Sequence, residues 1–333
     1  MSAGRRRALI TGLTGQDGSF LAESLLDDGY EVIGLIHPGS GLDGPRLGLA
    51  AHLEDRVRVV EGDLLAPDSL RGPVAELQPH ELFHLAAPTF VPESWRHPAR
   101  TAAAIVVATA TLLEAVRDES PDTRVLVATS GEMFGDAPES PQREDTPCRP
   151  RSPYAAAKLA GHQLVGQLRE HDGIFACSAI LYNHESERRP EDFVTRKITR
   201  AVAAIKLGVA DELTLGDTSA VRDWSFAGDI MRGCRLMVAQ QAPRDYVLAS
   251  GVGHTVCDFL NVAFAHVGVD PERYVRTDPE LVRPPEHTPP VGDPSRARAE
   301  LGWEPTLTFE QLVARMVDAD LADLSGRGAG SGS

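Results

Sequence analysis

Leu9-Ile10-Thr11-Gly12-Leu13-Thr14-Gly15-Gln16-Asp17-Gly18 decides the fold. A short apolar run ends in Gly-x-x-Gly-x-x-Gly and passes straight into a helical pattern. This spacing serves a tight turn, close approach of backbone to a pyrophosphate, and close packing of helix on strand. The helix amino end then offers unpaired N–H groups and a positive dipole to phosphate. A glycine spacing alone says little; its place between a strand and a helix near the amino terminus gives it meaning. Gly12, Thr14, Gly15, Gln16, Asp17 and Gly18 therefore read as a dinucleotide-binding loop.

Outward from this loop, short apolar runs alternate with helical patterns, the signature of a parallel sheet with crossover helices. Strands are expected at Arg7 to Thr11, Glu31 to Ile36, Val57 to Glu61, Glu81 to Leu85, Val125 to Thr129 and Phe175 to Leu181. Helices are expected at Ser19 to Asp28, Asp68 to Leu77 with Asp68 as its cap, Pro98 to Arg117 and Tyr154 to His171. Tyr246 to Ala249 reads as a later strand returning to this sheet. The fold class is α/β, a doubly wound parallel sheet with a smaller mixed α/β unit. Residues 1–182 and 223–251 form the dinucleotide-binding domain, 183–222 and 252–324 the second domain, and 325–333 a Gly/Ser-rich flexible tail. Trp224 and Trp303 read as core.

The totals agree with a globular chain. Its 333 residues are 42% hydrophobic and 24% charged, enough for a sizeable core. A net charge of −15 with one basic run, Arg5-Arg6-Arg7, speaks against nucleic acid as a partner. No apolar stretch is read as reaching the ~20 residues of a bilayer span, and the first strand follows the amino terminus too closely for a cleaved signal peptide. Cys148, Cys177, Cys234 and Cys257 are widely spaced, so free thiols in a reducing cytoplasm are expected, with no metal site.

Cofactor choice is normally legible after the second strand, where an acid marks NAD. Here the chain reads Gly34-Leu35-Ile36-His37-Pro38-Gly39-Ser40, with no acid and no arginine pair. A 2′-phosphate would lean on His37, Ser40 or Arg46, so NADP is expected and NAD stays open. Asp63 and Leu64, past the third strand, suit either adenine contacts or a plain strand-end turn. Leu85, Ala86 and Ala87, after the fourth strand, complete the candidate cofactor contacts.

The candidate chemistry lies downstream. Ala128-Thr129-Ser130-Gly131-Glu132 ends one strand, and Ser152-Pro153-Tyr154-Ala155-Ala156-Ala157-Lys158 opens a helix. Tyr-x-x-x-Lys puts a phenol and an ammonium on one helix face, one turn apart. A phenol titrates near ~10, and lowering that to neutrality takes about 4 kcal/mol, which nearby cations can supply. Ser130 would hydrogen-bond the same substrate hydroxyl. Glu132 adds a carboxylate able to remove a proton beside a newly formed ketone. Each has a plainer reading, a helix-surface pair for Tyr154 and Lys158 and a solvated loop acid for Glu132.

With these residues the chain resembles the extended short-chain dehydrogenase/reductase family and, within it, the GDP-mannose 4,6-dehydratases. The likeness also rests on Arg151-Ser152-Pro153-Tyr154, Tyr182-Asn183-His184-Glu185-Ser186 with Arg188-Arg189, Phe193-Val194-Thr195-Arg196-Lys197, Arg222-Asp223-Trp224 and Arg283-Pro284-Pro285-Glu286. The resemblance implies an NADP-dependent nucleotide-diphosphate-sugar 4,6-dehydratase, with a GDP-sugar favoured. Tyr154 would take the O4 proton as the C4 hydride leaves, Glu132 the C5 proton as water departs from C6, and the hydride would return to C6. It implies substrate contacts at Thr89, Asn183, Val194, Lys197, Arg222, Arg283 and Glu286, and a homodimer or homotetramer. For Arg222 a salt bridge to Asp223 or Asp229 is the alternative, and for Arg188 and Arg189 a solvated loop or a subunit contact.

The chain departs from the family pattern at three points. Gly131 stands where relatives carry serine or aspartate, so protonation of the leaving group must come from Glu132 or water. Thr89-Phe90 stands where Ser-His is common, and His37-Pro38 replaces an arginine pair. These departures keep two alternatives in view: a nucleotide-sugar epimerase or dehydratase for an unusual sugar, and an idle nucleotide-binding protein.

Overall fold

The computed structural model describes residues 5–40, 47–278 and 287–330. Among the described residues, seven strands form the main sheet: β1 (Arg7–Thr11), β2 (Glu31–Ile36), β3 (Arg58–Glu61), β4 (Glu81–His84), β5 (Arg124–Ser130), β6 (Ala176–Leu181) and β10 (Tyr246–Leu248). Their order is β10-β6-β5-β4-β1-β2-β3, with every pairing parallel. The strands lie within a residue of the expected ones, and Tyr246 does return to the sheet.

Burial on both faces explains their unbroken apolar runs. Ala8 and Ile10 of β1 face one layer, with Leu21 and Leu25 of α1 (Gln16–Asp27) and Ile230 and Met231 of α8 (Ala227–Val238). Leu9, one residue out of phase, faces the other. There it meets Leu70 and Val74 of α2 (Asp68–Leu77), Leu112 and Leu113 of α5 (Ala108–Glu119) and Val165 of α6 (Pro153–Asp172). The short α3 (Val91–Arg96) and α4 (Pro98–Ala102) lead into α5.

A second unit holds the sheet β11-β9-β7, from β7 (Asn183–Glu185), β9 (Val221–Phe226) and β11 (Gly253–Thr255), and a pair of β8 (Leu213–Leu215) with β12 (Val275–Thr277). Around it pack α7 (Val194–Lys206), α9 (Val256–Val267) and α10 (Phe309–Gly330), over a core of Trp224, Phe259, Phe264 and Met316. Trp303 is buried in the first unit's core, its indole N–H donating to the Asp229 carbonyl at 2.7 Å. Because β9 pairs with β7 and β11, residues 223–226 sit in the small sheet, contrary to the expected division.

Three further expectations are corrected. Helix α10 runs through Gly330 instead of yielding to a tail at 325. Glycine costs a helix about 1 kcal/mol, and the buried Asp320 on this helix pairs with Arg196 at 2.8 Å and Arg200 at 3.3 Å, tying it to α7. Asp68 does not cap α2; it is the helix's first residue, and no side chain caps Pro67 before it. Pro98–Glu119 is long and apolar enough to cross a bilayer. Ile105, Ala108, Leu112 and Val116 bury its apolar face inside the protein, so it is a core helix.

Candidate functional site

The carboxyl ends of β1, β4, β5 and β6 form one crevice, the place where this sheet type binds ligands. At β1, Gly12 has φ +81, and a Cβ there would stand 2.9 Å from the Ala86 amide nitrogen. A Cβ on Gly18 would lie 2.2 Å from the Gly12 carbonyl oxygen, whereas Gly15 has no neighbour closer than 3.5 Å. The first and last glycines thus close the turn and seat the helix, while the middle one leaves room for a ligand. Gly15 precedes α1 with no side-chain cap, so the first amides of that helix are available to phosphate. The cradle fits a dinucleotide. Gly18→Ala should weaken NADP binding at least tenfold, about 1.4 kcal/mol, as read by titrating cofactor fluorescence.

Thr11 fastens the neighbouring strand end. Its Oγ1 accepts the Ala86 N–H at 3.1 Å and lies 2.8 Å from His84 Nδ1. Burial, helped by the Lys158 charge, pushes His84 down to about 3, so the ring is neutral and accepts the threonine proton. This places Leu85 and Ala86 beside the glycine turn, and Ala87 lines a small cavity with Ala86 and Lys158. His37 is exposed past β2, 3.6 Å from the Asp63 carboxylate. Asp63 also accepts the Leu65 N–H at 2.9 Å, so it forms a strand-end turn whatever else it contacts.

Ser152 and Pro153 start α6 for local reasons: the serine Oγ accepts the Ala155 N–H at 3.0 Å and proline occupies the first turn. Tyr154 and Lys158 then share a buried face, with the lysine Nζ 5.8 Å from the tyrosine ring centre. Lys158 Nζ donates to the Ala128 carbonyl at 2.7 Å. Burial pulls Lys158 down to about 8, against the pull of Asp17. Burial pushes Tyr154 up to about 12; a hydrogen bond with Ser130 opposes this and the Glu132 charge adds to it. Ser130 Oγ also accepts the Glu132 N–H at 3.2 Å, opening the turn Gly131–Met133. Ser130, Glu132, Tyr154 and Lys158 thus share one half-enclosed corner; Tyr154 and Lys158 are buried, not a helix-surface pair, and Glu132 is half-buried.

His184, quoted above within the Tyr182–Ser186 motif but given no role there, stands against the glycine loop. Its Nε2 lies 2.9 Å from Asp17, 167 residues back, and its Nδ1 2.7 Å from the Tyr182 carbonyl. A carbonyl and a carboxylate only accept, so both ring nitrogens donate and the ring is an imidazolium. Burial opposes that charge and Asp17 outweighs it, raising the His184 pKa. Arg189 stacks on Phe193, 3.6 Å from the ring centre, and lies 3.2 Å from Glu185. Its charge acts on both Tyr154 and Asp17. Arg188 donates to Ser19 at 2.9 Å and Glu23 at 2.7 Å. The loop is therefore bound to α1, not solvated.

The remaining candidates lie on the second unit. Register sets Asn183 opposite Trp224, with Arg222 two residues earlier on the neighbouring strand. Asp223 turns away to accept from Ser250, Gly251 and Gly292, and Asp229 bonds Thr306 and Arg232. Val194 and Lys197 are exposed on the first turn of α7, and Thr89 is exposed after β4. Arg46, Arg283 and Glu286 lie outside the described residues.

Comparison with known proteins agrees with this arrangement. The family model for GDP-mannose 4,6 dehydratase matches residues 9–316. The chain is 46% identical to GDP-mannose 4,6 dehydratase 2 of Arabidopsis thaliana, over 95% of this chain and 87% of that one. It is 40% identical to the GDP-mannose 4,6-dehydratase of Yersinia enterocolitica, over 95% and 94%. Among solved structures, RMD from Pseudomonas aeruginosa, complexed with NADPH, superposes with a TM-score of 0.80 at 25% identity, covering 96% of this chain and 99% of that one. The chain belongs to the GDP-mannose 4,6-dehydratase family.

Proposed function

We propose that this protein is an NADP-dependent 4,6-dehydratase of a GDP-sugar, most simply GDP-mannose. The observation that carries the reading is the corner in which Ser130, Tyr154 and Lys158 are buried and the half-buried Glu132 lies close enough for its charge to act on Tyr154. A nicotinamide dinucleotide bound in the glycine loop supplies the group that takes the hydride from C4 and later returns it to C6. Tyr154 accepts the O4 proton, with Ser130 holding the same hydroxyl. Lys158 supplies the cation that favours phenolate. Glu132 removes the C5 proton, made acidic by the 4-ketone, and passes a proton to the departing C6 hydroxyl, since Gly131 has no side chain to do so; a proton drawn from solvent is then delivered to C5 as the hydride returns to C6. His184 and Asp17 join the glycine loop to the strand that carries Asn183.

Asn183, Val194, Lys197, Arg222, Arg283 and Glu286 are proposed for the nucleotide and diphosphate, where arginine suits paired phosphate oxygens. Thr89 is proposed for the hexose. The crevice between the two units is then the substrate site. Exposed Trp95 and Val107 offer apolar surface for a homodimer or homotetramer, and four free thiols suit a cytoplasmic protein. The test is GDP-mannose deuterated at C4. The label should appear at C6 of a 6-deoxy product. Label returned to C4 with the C6 oxygen intact would establish an epimerase, and tight NADP binding without turnover an idle protein.

A further inference from the structure

Behind Glu132 stands a residue that the mechanism above does not use. The ring of Tyr182, just past β6, is buried between two glycines. A Cβ on Gly131 would stand 2.9 Å from the ring, and one on Gly292 would stand 2.7 Å from it. The ring is not a flexible end that could yield. Its hydroxyl donates to Gln142 Oε1 at 2.8 Å, its N–H to the Leu248 carbonyl at 3.2 Å, and its carbonyl lies 2.7 Å from His184 Nδ1.

Gln142 is itself buried and carries the contact onward. Its amide nitrogen donates to the Pro289 carbonyl at 3.0 Å, its backbone N–H to Val291 at 2.7 Å, and its carbonyl accepts the Asp293 N–H at 2.8 Å. Asp223, next to Arg222, accepts the Gly292 N–H at 3.2 Å. The ring therefore touches the turn bearing Glu132 and the strap 287–293, while the main-chain carbonyl of the same residue leads through His184 to the glycine-loop residue Asp17.

We propose that Tyr182 is a positioning residue for the elimination step, its ring fitting the side-chain-free face of Gly131 so that Glu132 is held at the Tyr154 corner. This rests on the dehydratase reading. A side chain at 131 would require the ring to move.

The test pairs Gly131→Ala with Gly131→Ala/Tyr182→Leu and Tyr182→Leu. In Gly131→Ala the ring must move, so elimination should slow at least tenfold while C4 oxidation changes little, and bound 4-ketohexose with reduced cofactor should accumulate. The double variant should recover part of the lost elimination rate. Melting temperatures should be non-additive, Gly131→Ala costing less when Tyr182 is absent. Equal slowing of both steps, elimination within twofold of wild type, or additive melting shifts would each overturn the proposal. A wild-type enzyme that forms no 6-deoxy product removes the dehydratase reading and this inference with it; a competent wild type with unsplit variants removes the inference alone.

Discussion

Glu132→Gln is expected to stop the reaction half-way. The amide keeps the shape and loses the base, so elimination should fall by about a thousandfold, within the range usual for removing a positioned acid or base. The first half should survive. The Glu132 carboxylate is one of the influences holding the Tyr154 phenol up, behind burial. Removing its charge lowers that pKa, which favours phenolate and leaves C4 oxidation as fast as before or slightly faster. Single-turnover mixing with GDP-mannose should show reduced nicotinamide by its near-ultraviolet absorbance, together with a bound 4-ketohexose. In heavy water, wild-type product should carry solvent deuterium at C5, and the variant should form almost none. Equal loss of both half-reactions would remove Glu132 from the base role.

The contrast between Glu132 and His184 shows what a single chain discloses. Ser130, Glu132, Tyr154 and Lys158 were legible because local geometry carries them: a strand end, a capped helix start and a one-turn spacing. The parallel sheet was legible for a similar reason, since strands covered on both faces must be continuously apolar. His184 depends instead on a partner 167 residues away, and nothing in Asn183-His184-Glu185-Ser186 states which atom the imidazole will meet. Tyr182 is harder still. Its place follows from the absence of two side chains, Gly131 and Gly292, on segments brought together only by the fold. Gly131 read as a departure from the family pattern, and the fold places a buried ring against it. Glycine- and serine-rich composition points to a tail from 325, whereas α10 continues to Gly330, its preceding turns tied to α7 through Asp320.

Lys158→Met is expected to inactivate the enzyme and stabilise it. Loss of the ammonium leaves a phenol that burial already holds near 12, so C4 oxidation should fall at least a hundredfold. Stability should move the other way. Lys158 titrates near 8 in the folded chain against 10.5 when exposed, and carrying that buried charge at pH 7 costs about 3 kcal/mol. Methionine fills the same channel without it. The lost hydrogen bond to Ala128 returns about 1 kcal/mol, leaving the apo variant more stable by about 2 kcal/mol. The sign fixes the pH dependence. Between pH 8 and 10.5 the unfolded chain holds the lysine proton and the folded chain does not, so wild-type stability rises with pH through that window. The advantage of Lys158→Met should therefore be full below pH 8, vanish before about 10.5, and give way there to the small deficit of the lost hydrogen bond. Denaturant unfolding of both apo proteins at neutral and alkaline pH measures it. A variant no more stable than wild type at pH 7, or a gain that ignores pH, would show that this lysine is not held as a costly buried cation.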